Sequence, residues 1–203
     1  MRTLIGDQRG ASAAEFALVL PLLLIVLFGT IDVGRYAWSL SQAEKATQTG
    51  ARWAVATDMI ASGLYSYSFA TSGGVPQGTT VPQDKFPGVV CQIINGVLQC
   101  DYVRGGSLTL PQTVNNTAFT NLVTRMAQIY PGLTANNVVV TYAWSGLGFA
   151  GDPNGPDVAP LTTVSLRNVN FAPFTTLVFG GQVGLPAFAY TLPMEDGSGT
   201  SSN

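Results

Sequence analysis

The chain has 203 residues, 46% of them hydrophobic and only 10% charged, with a formal net charge of −2 and no histidine. A surface so sparsely charged lacks the basic patch that holds a nucleic-acid backbone, so no nucleic-acid partner is expected. Without histidine the commonest general base and the commonest zinc ligand are both missing, so no catalytic residue, metal or other cofactor is assigned.

The amino-terminal stretch "RGASAAEFALVLPLLLIVLFG" carries one carboxylate, Glu15, at the leading edge of an apolar run, and residues 16–31 hold no charged side chain. With the small residues before it, the segment 11–31 has about the 20 residues that a membrane-spanning helix needs. A carboxylate at that place is read by default as functional, although near a helix end it can simply reach the headgroup layer. Both readings stand on these residues alone. Pro21 removes one backbone donor and is expected to kink or weaken the helix. A cleaved secretory signal fits less well, because its apolar region is usually about 7 to 15 residues and leads into a polar chain. Here further helix follows. In "DVGRYAWSLSQAEKATQTGARWAVA", Val33, Tyr36, Ala37, Leu40, Ala43, Thr47, Gly50 and Ala54 recur at three- and four-residue steps, the spacing of one helical face. A projecting helix over 32–64 is expected, its face of small residues packing on its own domain or admitting another element.

After a Gly-, Thr- and Pro-rich loop, "VVCQIINGVLQCDYV" reads as a hairpin around Asn95-Gly96, the preferred type I′ pair because both positions need positive φ. Opposing positions then place Cys91 against Cys100 as a non-hydrogen-bonded pair with Cα atoms about 4.5 Å apart, at the short end of what a disulfide accepts. The bridge falls on the face with Val89, Ile93, Leu98 and Tyr102, the alternative being two reduced buried thiols. Arg2 and Arg9 before the span and Arg35 and Lys45 after it nearly balance, so charge marks the orientation weakly. A disulfide implies an oxidising compartment, which places the carboxy-terminal domain outside the cytoplasm and the amino terminus inside.

"NNTAFTNLVTRMAQIYPG" sets Phe119, Leu122, Val123, Met126 and Tyr130 on one helical face and ends at Pro131-Gly132. "NVVVTYAW", "LTTVSLRNV" and "LPAFAYTL" read as strands, the last with Phe188, Tyr190 and Leu192 on one side. "GDPNGPD" offers Asp152, Asn154 and Asp157 at roughly calcium-loop spacing but is full of turn formers, and reads as a turn. "NFAPFTTLVFGGQVGLP" is unusually apolar for a connection, and residues 171–186 either bury against the domain or meet lipid or a partner. The fold expected is α+β: a long amino-terminal membrane-spanning helix continuing into a periplasmic antiparallel sheet with a second amphipathic helix. The α+β domain covers 65–193, and 194–203 is expected to be a disordered tail.

Gly10, the four small residues after it, Glu15-Phe16 and the apolar run resemble the processing site of type IV pilin-like proteins. "RGASAAEFALVLPLLLIVLFGTIDVGRYAW" with "QTGARWAVA" is similar more specifically to TadE-like proteins, the minor pseudopilins of bacterial tight-adherence (Flp pilus) systems. The resemblance is most specific over residues 9–57; the "TVSL" strand and "FAYTLPMED" are similar to the family's carboxy-terminal end. It implies a leader of residues 1–10 removed between Gly10 and Ala11 by a membrane prepilin peptidase, and Glu15 and Phe16 as assembly residues, the carboxylate being neutralised on assembly. Other pilins or pseudopilins and membrane lipid are the partners implied, in a single-pass protein of the bacterial inner membrane that acts as substrate rather than enzyme. Phe16 stands where major Flp pilins commonly carry Tyr, and the chain is far longer than those fibre subunits. An uncleaved anchor with a periplasmic binding domain is the competing reading; an anchored hydrolase would lack any nucleophile and base to name.

Overall fold

The computed structural model describes residues 11–103, 110–176 and 180–198. Gly10 and the expected leader lie outside the described residues, as do residues 199–203 of the expected tail. The chain divides into two compact units, one of residues 1–40 and 170–185, the other of residues 41–169 and 186–203.

The longest element, α1, is a helix over Ala11–Ala56 that stays helical through Pro21. It is the one described helix long and apolar enough to cross a membrane. In the first unit nearly all of its side chains from Ser12 to Leu40 are exposed or half-buried, the exception being Asp32. Beside it in that unit a two-residue ladder joins β5 (Asn170–Phe171) to β6 (Val183–Gly184), pairing Asn170 with Gly184 and Phe171 with Val183.

The second unit is built on a five-stranded antiparallel sheet of order β2-β1-β3-β4-β7, with β1 Val89–Ile94, β2 Val97–Tyr102, β3 Val138–Ala143, β4 Leu161–Leu166 and β7 Ala189–Pro193. Because side chains alternate across a strand, the register puts Cys91 beside both Cys100 and Val140, Val140 beside Val164, and Val164 beside Tyr190. This row belongs to the core face, on which Cys91, Val138, Val140, Tyr142, Val164 and Leu166 are buried. Phe119, Leu122 and Met126 of α3 (Asn116–Ala127) are also buried, and the start of this helix is capped by the Asn115 side chain accepting from the Ala118 N–H at 3.0 Å.

Residues 41–56 of α1 bury Ala43, Ala46, Thr47, Gly50, Ala51, Ala54 and Val55. The expected face is therefore used, against its own domain, but only from Ala43 onward. Val33 and Ala37 are exposed, because that part of the helix belongs to the other unit, where no core meets them. Gly50 is where α3 comes closest: a Cβ there would lie 2.6 Å from Met126 Sδ. The helix also ends at Ala56 rather than running to residue 64, and a separate four-residue turn, α2, covers Ser62–Tyr65. Its last carbonyls need partners, and the segment expected to be disordered supplies them. Glu195 and Asp196 N–H donate to Val55 O at 3.1 and 2.9 Å, Met59 N–H donates to Gly197 O at 3.2 Å, and Met194 is buried.

The hairpin has the register its turn implies. Asn95 and Gly96 both hold positive φ, 52° and 82°, Gln92 faces Gln99 and Cys91 faces Cys100. Cys91 and Cys100 are bonded, with Cα atoms 4.0 Å apart and both side chains buried. On the opposite face Arg167, one residue past β4, reaches β1 and the turn that precedes β3, donating to the Gln92 side chain, to Ile93 O at 2.8 Å and to Asn136 O at 3.1 Å. Tyr142 is fully buried and its hydroxyl accepts the Ile60 N–H at 3.0 Å. Burial pushes this phenol well above its ordinary range, against the pull of the Ile60 and Ala61 N–H groups.

"GDPNGPD" is a turn whose carboxylates serve backbone amides. Asp157 is buried and accepts from Phe69 N–H at 2.6 Å and Asp152 N–H at 3.1 Å, while Asp152 accepts from Asn154 N–H at 2.9 Å.

Candidate functional site

The residues singled out by the amino-terminal pattern lie at the start of α1. Ala11 opens the helix, and Glu15 and Phe16 follow one turn later, both exposed on a helix that carries no other charged side chain up to Ile31. At 1.5 Å rise per residue, Glu15 stands about 6 Å along the axis from Ala11. Gly10, the other half of the expected scissile bond, lies outside the described residues. Cys91 and Cys100 belong to the core of the sheet-bearing unit, where their role is structural.

No sequence pattern marks a second group on the same helix as a site. Asp32 is the first charged residue after the run 16–31, and its carboxylate is buried. One oxygen accepts the Phe174 N–H at 2.7 Å; the other accepts the Thr175 N–H at 2.8 Å and the Thr175 hydroxyl at 2.9 Å. One turn on, Arg35 donates to Asp32 Oδ1 at 3.2 Å. Its guanidinium lies 4.0 Å from the ring centre of Phe174 and 5.1 Å from that of Phe171. Tyr36 meets Phe171 edge-on at 5.6 Å between ring centres. Burial alone pushes the Asp32 carboxyl up, but the Thr175 and Phe174 N–H groups, the Thr175 hydroxyl and Arg35 outweigh it and hold the group below the usual aspartate value.

Asp32 and Arg35 are three residues apart on a helix, a spacing that does suggest a local pair. Nothing in the sequence points from them to Phe174 and Thr175, which follow more than a hundred residues later. The part of the apolar segment around Phe174 and Thr175 is thus seated on α1 by a buried carboxylate.

This geometry is a long apolar helix with one carboxylate near its start and a polar clasp at the end of its uncharged run. It offers surface for lipid and for other helices, and among the described residues no group of three or more His, Cys, Asp or Glu side chains is placed to hold a metal ion. No curated protein and no solved structure matches the chain. Residues 10–52, which contain Glu15, Phe16, Asp32 and Arg35, match the family model described as TadE-like protein, and over those residues the chain is similar to that family.

Proposed function

We propose that the chain is a minor pseudopilin that takes part in assembling a Flp, type IVb-like pilus for surface adherence, with a structural rather than an enzymatic role. The observation that carries the reading is the match of residues 10–52 to the TadE-like family on a helix whose one early carboxylate, Glu15, is exposed. In this reading residues 1–10 are a leader cut by a prepilin peptidase, residues 11–31 span the bacterial inner membrane with the amino terminus cytoplasmic, and the sheet-bearing domain is periplasmic. Other pilins or pseudopilins of the Tad system are its partners.

The chemistry gives Glu15 a task. A carboxylate at the centre of a membrane helix costs about 2.5 to 3.5 kcal/mol and less near the interface, so anchoring alone offers no reason for it. Cleavage after Gly10 creates an amine on Ala11, about 6 Å away along the helix. Opposite charges at that range attract by about 3 kcal/mol at an effective dielectric of 20, and by less than about 1 in water. The new terminus of this chain or of a neighbouring subunit thereby offsets much of the cost, and the charge sets the register of assembly.

The mass of the membrane-extracted protein tests processing: wild type should begin at Ala11 and Gly10→Leu at Met1, and intact masses that place the start of both proteins at Met1, differing only by the substitution, would argue against a cleaved leader. Piliation of a strain carrying Glu15→Ala at wild-type protein level tests assembly. Loss of pili is the result expected. Full piliation would favour an uncleaved anchor bearing a periplasmic binding domain.

A further inference from the structure

We infer that residues 171–176, held on Asp32, are a lipid-contacting element that rests in the headgroup layer beside the span, with Phe174 as its anchor. This rests on the reading of residues 11–31 as crossing the bilayer. Asp32 follows the last residue of that run, and at 1.5 Å rise per residue its Cα stands about 1.5 Å beyond Ile31 along the axis. Its carboxylate holds the Phe174 and Thr175 backbone directly, at 2.7 and 2.8 Å. The polar layer on each side of the hydrocarbon core is about 5 to 7 Å deep. A chain held to Asp32 at hydrogen-bond distance therefore lies inside that layer.

The side chains suit the place. Phe171 is buried on the helix, whereas Phe174 is 48% exposed and Val183 45% exposed. Phe174 has the Arg35 guanidinium over its ring at 4.0 Å and a hydroxyl and a carboxylate at its backbone, an arrangement with one apolar and one polar side. That is the character of residues enriched at membrane interfaces. Exposed Phe28 and Ile31 on α1 carry the same apolar surface down into the span, and this continuity selects lipid as the occupant rather than a separate protein groove.

Both native cysteines are paired, so an introduced cysteine is the one free thiol. The full chain carrying Phe174→Cys, Val26→Cys or Thr120→Cys, each labelled with the environment-sensitive dye NBD, is reconstituted into phosphatidylcholine–phosphatidylglycerol vesicles with nitroxide lipids labelled shallow or deep. The label at 26 should be quenched more by the deep nitroxide, the label at 120 by neither, and the label at 174 severalfold more by the shallow than by the deep one. A label at 174 as unquenched as that at 120, with 26 quenched, overturns the inference while leaving the span intact. A blue-shifted but unquenched label at 174 overturns it in favour of a protein cover. An unquenched label at 26 overturns the span and this inference together.

Discussion

Asp32 grips Thr175 twice through one carboxylate oxygen, accepting the backbone N–H at 2.8 Å and the hydroxyl at 2.9 Å, while the other oxygen takes the Phe174 N–H at 2.7 Å. A helix side chain thereby does for an incoming segment what an N-cap residue does for a helix start: it satisfies consecutive backbone donors that have left water.

Removing that carboxylate should free the segment without unfolding the helix. In Asp32→Ala the amides of Phe174 and Thr175 should exchange with deuterium much faster than in wild type, while amides in β3 and β4 keep their protection. The contact is also acid-sensitive in a defined direction. Because the folded carboxyl titrates below its ordinary value, its contribution is complete above the unfolded value of about 3.9 and is lost as pH falls through the lower folded value. Protection factors at residues 174 and 175 that stay constant from neutral pH, fall only below the ordinary aspartate range and vanish in Asp32→Ala are the expected pattern. Equal protection in wild type and variant would remove Asp32 as the tether.

Opening the Cys91–Cys100 bridge should weaken the sheet-bearing unit. The closed loop is short, so the paired substitution Cys91→Ser with Cys100→Ser should cost about 2 to 3 kcal/mol of stability. Urea unfolding of the detergent-solubilised full chain measures it, with alkylation of the denatured, unreduced wild type as the check on the bond. Two freely reacting thiols in that protein would refute the bridge.

Gly50 and Met126 should behave as a coupled pair. A Cβ on Gly50 would lie 2.6 Å from Met126 Sδ and 2.8 Å from Met126 Cγ, and Met126 is fully buried. Overpacking of this kind typically costs about 1 to 3 kcal/mol, against about 1 kcal/mol gained from the helix propensity of alanine over glycine. Gly50→Val, without that propensity gain in full, should be clearly destabilising. In a double-mutant cycle Met126→Ala should relieve part of the cost of Gly50→Val; strict additivity would show that the two do not share the space.

Asp157 is expected to be a stability residue rather than a calcium ligand. Its carboxylate is buried and accepts from Phe69 and Asp152 N–H, and leaving buried donors unpaired costs about 1 to 3 kcal/mol each. Asp157→Ala should lower the urea midpoint in proportion, whereas added calcium or chelator should leave wild type unchanged. A calcium-dependent rise in the wild-type midpoint would assign the loop to a metal after all.

What the sequence determined by itself is local. A helix from Ala11 follows from a long apolar run continued by small and polar residues of good helical spacing. The register that brings Cys91 to Cys100 follows from a two-residue turn and the two-residue period of strands, which leave no freedom once Asn95-Gly96 is recognised. Phe119, Leu122 and Met126 were legible on α3 for the same reason, since a helix repeats its faces within a few residues. What only the tertiary structure decided depends on chain segments that meet after long excursions. The pairing of β1 with β3, the docking of residues 194–198 on the end of α1, and the seat of Thr175 on Asp32 each join positions that no short-range period links. The α1 face shows both sides of the division: its spacing was visible from Val33 to Ala54, but where burial begins, at Ala43, was set by which unit has a core to offer. Periodicity states which side of an element can be buried. Only the assembled fold supplies the surface that buries it, because the partners of a buried carboxylate or an orphan carbonyl are chosen by space and not by distance along the chain.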